Sequence, residues 1–207
     1  MPNEKLKHNL KFLVLFLALS GSAYCQSTRE LTYDIVKGGK NIGFLNVSRQ
    51  SFGDSLVYQI ESRVEIRFLF SFVVHFRSTE ISVGGRLVEG KAKSTLNGKI
   101  QKESNVWLSN DEFFVNLNGA TYEFGNKIVD YFVSQLYFIE PKERKQIFSQ
   151  QFANYIDLER TGEHTYTLIS PDGNNYYIYE NGNCKQVKIS RDFATFYFKL
   201  KDVKESN

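Results

Sequence analysis

From Glu30 onward, apolar and polar residues alternate with a period of two, and turn dipeptides interrupt the alternation again and again. That pattern predicts extended strands joined by hairpins. The turn candidates are Gly38-Gly39, Gly53-Asp54, Gly84-Gly85, Asn97-Gly98, Asn118-Gly119, Asp172-Gly173 and Asn181-Gly182, residue types that accept the positive φ of tight connections. The clearest strand runs from Val57 to Phe70. Tyr58, Ile60, Val64, Ile66, Phe68 and Phe70 share one face, and Gln59, Glu61, Arg63, Glu65 and Arg67 share the other, as an antiparallel sheet with one buried side requires. Leu69 to Phe76 is apolar at nearly every position, which places it where both faces are covered or where one face lines an apolar cavity.

Arg86 to Lys102 is strongly polar around Asn97-Gly98, so it is expected to project past the core or to form a sheet edge, where lysines discourage edge-to-edge pairing. Strand character resumes at Val106–Leu108, Phe113–Leu117 and Tyr122–Phe124. Between Ile128 and Phe152 the apolar spacing is nearer three and four, and Pro141 halts what precedes it; a short helix over Val129–Tyr137 and a charged connector, Lys142–Gln146, follow from this. Strands return at Tyr155–Arg160, His164–Ser170, Tyr176–Glu180, Lys185–Arg191 and Thr195–Lys201. The expected fold is all-β and mainly antiparallel: a single curved up-and-down meander or half-open barrel of about ten strands, with one short helix near 129–137, in a single domain over 26–207.

The first 25 residues break the pattern differently. Lys5, Lys7 and Lys11 precede the apolar run Phe12–Leu19, which is followed by Ser20, Gly21, Ser22 and Ala23, the order of a secretory signal peptide over 1–25. As a helix the apolar run reaches about 12 Å, short of the roughly 30 Å hydrocarbon core, so no transmembrane span is expected. Cleavage after Ala23 or Cys25 fits the small residues, and the bulky Tyr24 disfavours a lipid anchor on Cys25. The chain is therefore expected to be exported, periplasmic or extracellular. Its 26 basic and 23 acidic residues nearly balance, which gives no nucleic-acid footprint and no polybasic membrane patch.

Little chemistry is visible. Without Cys25, Cys184 is the remaining thiol and makes no internal disulfide. His75 and His164 lie in different expected strands with no ligand spacing to Cys184, so no metal site and no cofactor is expected. No Gly-x-Ser-x-Gly elbow or phosphate-cradling loop is present. Asp34, Glu61, Glu65, Glu80, Asp130, Asp157 and Glu159 could supply the paired carboxylates of a glycosidase, but a solvated strand face is the default for each. No residue is assigned a catalytic role.

The 18 Phe, 12 Tyr and one Trp are a surplus of large aromatics. A meander with one strongly apolar face must curl around its own side chains or close over a helix. Phe68, Phe70, Phe72, Val74 and Phe76 would line the concave side, with Tyr131 and Phe132 of the helix beside them. If the helix leaves room, an apolar or amphiphilic ligand binds there; if it does not, the core is solid.

The chain resembles a group of uncharacterised exported proteins from Bacteroidota, classed as a domain of unknown function. The residues that carry the likeness are Leu136-Tyr137-Phe138 with Glu140-Pro141, Phe148-Ser149, Pro171-Asp172-Gly173 with Tyr177 and Tyr179, Gly182, and Gly85-x-Leu87. The resemblance implies a mainly antiparallel sheet and an envelope location, and supplies no catalytic residues. Three functions follow for testing. The first is an exported, non-catalytic β-protein of the cell envelope that binds an apolar or amphiphilic small molecule, or an envelope protein, on its concave face. The second is a solid interaction module using the Asn97-Gly98 hairpin. The third is a glycan-acting hydrolase.

Overall fold

The computed structural model describes residues 26–67, 71–125, 128–192 and 194–206; the expected signal peptide, Phe68 and Phe70 lie outside them. Eight strands form the first half: β1 (Gln26–Lys37), β2 (Lys40–Phe52), β3 (Ser55–Arg67), β4 (Ser71–Val83), β5 (Arg86–Leu96), β6 (Lys99–Ser109), β7 (Glu112–Leu117) and β8 (Ala120–Gly125). Six form the second: β9 (Gln146–Ser149), β10 (Asn154–Gly162), β11 (Thr165–Ile169), β12 (Asn175–Glu180), β13 (Asn183–Arg191) and β14 (Ala194–Ser206). Between the halves lies one 3-10 turn of helix, Val133–Tyr137.

All fourteen strands belong to one sheet ordered β8-β7-β6-β5-β4-β3-β2-β1-β14-β13-β12-β11-β10-β9. Each half is an antiparallel meander, and the first and last strands join them, Thr28 facing Ser206 and Val36 facing Tyr197. The sheet is not closed by hydrogen bonds between β8 and β9. Its two ends meet through aromatic rings instead. Phe124 of β8 lies edge-on to Phe148 of β9 at 5.7 Å and stacks on Tyr155 of β10 at 6.0 Å, and Phe113 of β7 contacts Phe148 at 6.4 Å. Such pairs hold ring to ring without any backbone register.

The all-β antiparallel meander is thus present, with fourteen strands in place of about ten. The extra hairpins turn where glycine is absent: Asn110 and Asp111 carry φ of 51° and 63°, and His164 carries 56°. Two further elements differ from expectation. Arg86 to Lys102 is no edge, because β5 and β6 sit between β4 and β7. Its polarity has another cause: the inward positions Gly90, Ala92 and Ser104 are buried but small, leaving room for chain that crosses the lumen. The helix is also shorter than 129–137. The Val129 and Tyr131 carbonyls accept from Leu87 N–H of β5 at 2.8 Å and Phe148 N–H of β9 at 3.0 Å, so residues 129–132 stay extended and the helical turn starts only after Phe132.

That connector is a plug. Val129, Phe132 and Leu136 are fully buried inside the curled sheet, with Tyr137 and Phe138 nearly so. Gln135 folds back to accept the Phe132 N–H at 3.0 Å, Tyr179 donates its hydroxyl proton to Leu136 O at 2.6 Å, and Tyr131 does the same to Ile139 O at 2.7 Å. One tyrosine of the wall, Tyr179, and one of the plug itself, Tyr131, thereby satisfy carbonyls in and just after the single helical turn. Phe132 lies edge-on to Tyr58 at 5.2 Å, and Tyr137 to Tyr33 at 5.6 Å. The aromatic surplus fills the lumen around the plug.

Candidate functional site

The inward phase of β4 holds an unexpected residue. Positions 72, 74, 76, 78, 80 and 82 share one side of that strand, and its inner half reads Ser78, Glu80, Ser82, all buried. Glu80 is 1% exposed. Across the sheet it faces Tyr58 on β3 and Gly90 on β5. Gly90 is required there by space: a Cβ would stand 2.2 Å from Gln150 Oε1 and 3.1 Å from Val106. Gln150 crosses the lumen after β9 and is anchored at both of its ends. Its carbonyl accepts from the Ser104 hydroxyl, and its Nε2 donates back to Ser104 Oγ at 3.3 Å. The amide nitrogen is committed to Ser104, so Oε1 is left facing the space beside Glu80.

Tyr58 Oη, Ser78 Oγ, Glu80 Oε2, Ser134 Oγ and Gln150 Oε1 are all buried in this region. Buried polar groups are nearly always satisfied, and these lie against other polar side chains, the Ser134 and Ser78 hydroxyls beside the Glu80 carboxyl and Gln135 and Arg49 beside Tyr58. Burial raises the Glu80 carboxyl from 4.5 to about 8, and the Ser134 and Ser78 hydroxyls beside it offset only part of that shift. At neutral pH Glu80 is a protonated acid, able to donate as well as accept.

Ser78, Glu80 and Gln150 all line a cavity of about 170 Å³ that reaches across the lumen to β12, β13 and β14. Its walls are apolar at Leu45, Ile60, Phe76, Val133, Ile189 and Phe198, and Arg191 stands on the far side. Burial lowers the Arg191 guanidinium, with the charge of Asp172 acting the other way. Its Nη1 donates to Asn175 Oδ1 at 3.0 Å and Ser190 O at 2.8 Å. A larger depression, about 500 Å³, lies among Glu30, Thr32, Asn46, Gln59, Glu61 and Arg77; of its two carboxylates, Glu61 is already engaged, accepting from Arg77 at 2.8 Å and meeting His75 at 3.0 Å.

Of the seven residues expected to line a ligand site, Phe76 reaches the cavity. Phe72 and Val74 are on the same side of β4 but 38% and 36% exposed. Phe68 and Phe70 lie outside the described residues. Tyr131 and Phe132 are buried in the plug, packed on Arg144 and Tyr58. Gln150 and Arg191 were not anticipated, and Glu80, expected on a solvated strand face, is buried. The signal for Glu80 was in the sequence: the even-numbered phase of Phe72, Val74 and Phe76 runs straight on to it.

The other candidates take structural places. Cys184 is buried and its thiol is pushed up to about 12, chiefly by burial, so it stays protonated beside Tyr33, whose hydroxyl donates to Cys184 O at 2.8 Å. His164 pairs with Glu140 at 2.9 Å, and Tyr166 donates to the same carboxylate oxygen at 2.8 Å. Burial acts to raise the Glu140 carboxyl, but these two contacts outweigh it and hold it below the usual range. Among the described residues no group of three His, Cys, Asp or Glu side chains could hold a metal, and no helix is long and apolar enough to cross a membrane.

A curled but unclosed antiparallel sheet, filled by its own connector and retaining a small cavity, defines a β-barrel-like protein. The chain belongs to the family described as a domain of unknown function, DUF6134, whose model matches residues 33–201, from the inward Tyr33 of β1 to β14. A solved structure is similar in fold: the crystal structure of a beta-barrel-like protein of domain of unknown function DUF1849 from Brucella abortus, with a TM-score of 0.56 at 11% identity over 89% of this chain and 100% of that one. No curated protein matches the chain.

Proposed function

We propose that the chain is an exported, non-catalytic protein of the cell envelope that binds a small amphiphilic molecule in the cavity between the plug and strands β2–β4 and β12–β14. The observation that carries this reading is a cavity with apolar walls at Leu45, Ile60, Phe76, Val133, Ile189 and Phe198 and a few polar groups, Glu80 and Arg191 among them, in its lining. Binding sites are commonly apolar concavities with a few placed polar groups. The volume sets the ligand's size. A cavity of ~150 Å³ holds one benzene, so about 170 Å³ accepts a body of that order with a polar head, and a long acyl chain is too large. Export rests on the basic, apolar and small-residue order of residues 1–25. A glycan-acting hydrolase is disfavoured at this cavity, because Glu80 is the one carboxylate among its described lining residues, whereas a glycosidase uses two.

Ligand-observed NMR on the full chain, with fragments of about six to ten heavy atoms, tests this. Fragments with a polar head and an apolar body are expected to bind the native chain and not Ile189→Trp, which fills the cavity. No binding at all, or binding that survives the filling substitution, would reject the reading.

The interaction-module reading is favoured by one other observation. Phe72 and Val74 are both exposed on one side of β4 near its start. Phe72→Asp with Val74→Asp should then abolish co-purification of an envelope protein while leaving fragment binding unchanged.

A further inference from the structure

The sequence holds three Asn-Gly turns, and one of them stands apart in the structure. Asn97-Gly98, Asn118-Gly119 and Asn181-Gly182 close the hairpins β5–β6, β7–β8 and β12–β13. All three asparagines are exposed and carry φ of 49°, 52° and 51°, so neither solvent access nor this backbone angle tells them apart. Their partners do. Asn97 is bracketed by Val73 of β4: its N–H donates to Val73 O at 2.8 Å, and its Oδ1 accepts from Val73 N–H at 2.8 Å. Asn118 makes the same pair of bonds with Glu103 of β6, at 2.8 and 2.9 Å. Each of these turns thereby extends the ladder of the strand next to its hairpin. Beside β12 the neighbouring strand stops short: β11 begins at Thr165, and Tyr179 N–H donates to His164 O at 2.9 Å just before it. Asn181 lies two residues further out, and neither its N–H nor its carboxamide makes a hydrogen bond among the described residues.

From this asymmetry we infer that Asn181-Gly182 is the chain's preferred site of spontaneous deamidation, and that its conversion loosens the wall's hold on the plug. The Gly182 backbone nitrogen attacks the Asn181 side-chain carbonyl carbon. A C–N bond forms, the bond to the side-chain nitrogen breaks, and ammonia leaves with the proton that Gly182 gives up. Water then opens the cyclic imide at one carbonyl to aspartate or at the other to isoaspartate. Glycine puts no side chain in the path of the attack. The carboxamide must swing onto its own backbone, which the bond from Val73 or Glu103 N–H to Oδ1 opposes at the other two turns. The hairpin end must also open locally, against one more backbone bond at those turns. Two extra hydrogen bonds slow the reaction there by about tenfold or more. Either product adds a negative charge beside Glu180, and isoaspartate also lengthens the backbone by a methylene. Close to the turn, Tyr179 pairs with Cys184 across the hairpin. The Tyr179 hydroxyl holds the plug at Leu136 O, and Cys184 O accepts from Tyr33, so a distorted turn strains both anchors.

Incubating the full chain in mildly alkaline buffer, with and without urea, and following the mass gain of each Asn-Gly peptide tests the inference. In the folded chain Asn181 is expected to convert about tenfold or more faster than Asn97 and Asn118. In urea, where no neighbouring strand remains, the three rates should converge. Similar rates at all three turns of the folded chain, faster conversion at Asn97 or Asn118, or no conversion at any turn while the unfolded chain reacts, overturns the inference. So does a preference for Asn181 that persists undiminished in urea, because it then belongs to the sequence alone. Hydrogen exchange reads the consequence. The Phe138 and Ile139 N–H groups, both bonded to Gln135 O in the plug, should exchange faster in the aged chain than in the fresh one. Asn181→Gly accepts the same positive φ and has no carboxamide, so ageing should leave its plug exchange unchanged. Unchanged exchange in the aged native chain, or equal acceleration in aged Asn181→Gly, overturns the link to the plug.

Discussion

Glu80→Gln should stabilise the protein increasingly as the pH rises. In the folded chain the Glu80 carboxyl is raised by burial from 4.5 to about 8; in the unfolded chain it titrates near its ordinary value. Between those values the folded state holds a proton that the unfolded state has released, so folding stability falls with pH by about 1.4 kcal/mol per unit. The penalty is absent below about pH 4, reaches about 3 kcal/mol at pH 7 and levels off above pH 8. Glutamine keeps the side chain's shape and never ionises. At pH 5 the variant and the native chain should therefore differ by about 1 kcal/mol or less, and by pH 8.5 the variant should have gained about 4 kcal/mol. Urea unfolding followed by aromatic fluorescence at pH 5, 7 and 8.5 measures this. With m values of about 2 kcal/mol per molar, the midpoint gap widens by about 2 M. All other titrating groups are common to both chains and cancel in the difference. A gap that stays constant from pH 5 to 8.5, or that closes, would refute the assignment of Glu80 as an acid whose carboxyl is raised by burial.

Gly90→Ala places a methyl group against Gln150 and should destabilise by about 1–3 kcal/mol, with most of the loss recovered in Gly90→Ala combined with Gln150→Ala; thermal melts of the two single variants and the double variant decide. Phe148→Ala removes the ring that bridges β7, β8 and β10, at a cost of about 3–5 kcal/mol. Hydrogen exchange should accelerate first in β8, and uniform acceleration across the sheet would deny the seam its closing role. Phe72→Ser should move the melting temperature little, within about 0.5 kcal/mol. A loss near that of a core phenylalanine would show that the position is sheltered.

The antiparallel class and most of the hairpins were legible because they are local. The Tyr58, Ile60, Val64, Ile66 phase and the paired turns such as Asn97-Gly98 state their conformation within a few residues. Turns at Asn110-Asp111 and His164 were missed because asparagine, aspartate and histidine adopt positive φ without announcing it. The polarity of β5 misled for a different reason. Gly90 and Ser104 are small because Gln150, 60 and 46 residues further along the chain, presses on them, and no window along β5 or β6 contains that information. Glu80 was hidden by its charge: an acid within a strand reads as a wet position, and only the continuous phase from Phe72 argues otherwise. Arg191 joins the site solely through the curl of the sheet, which the sequence pattern does not encode.

One consequence of the strand order concerns assembly. The N-terminal and C-terminal strands lie side by side at the middle of the sheet, so a ribosome delivers one half of the sheet long before the strand that unites it with the other. Until β14 arrives, β1 offers a naked edge, and the plug has one wall to lean on. Joining the ends where Thr28 faces Ser206 and reopening the chain just after β8 would convert the same sheet into fourteen hairpin-linked strands in strict order. Such a permutant has fewer distant pairings to search for and should refold faster than the natural connectivity.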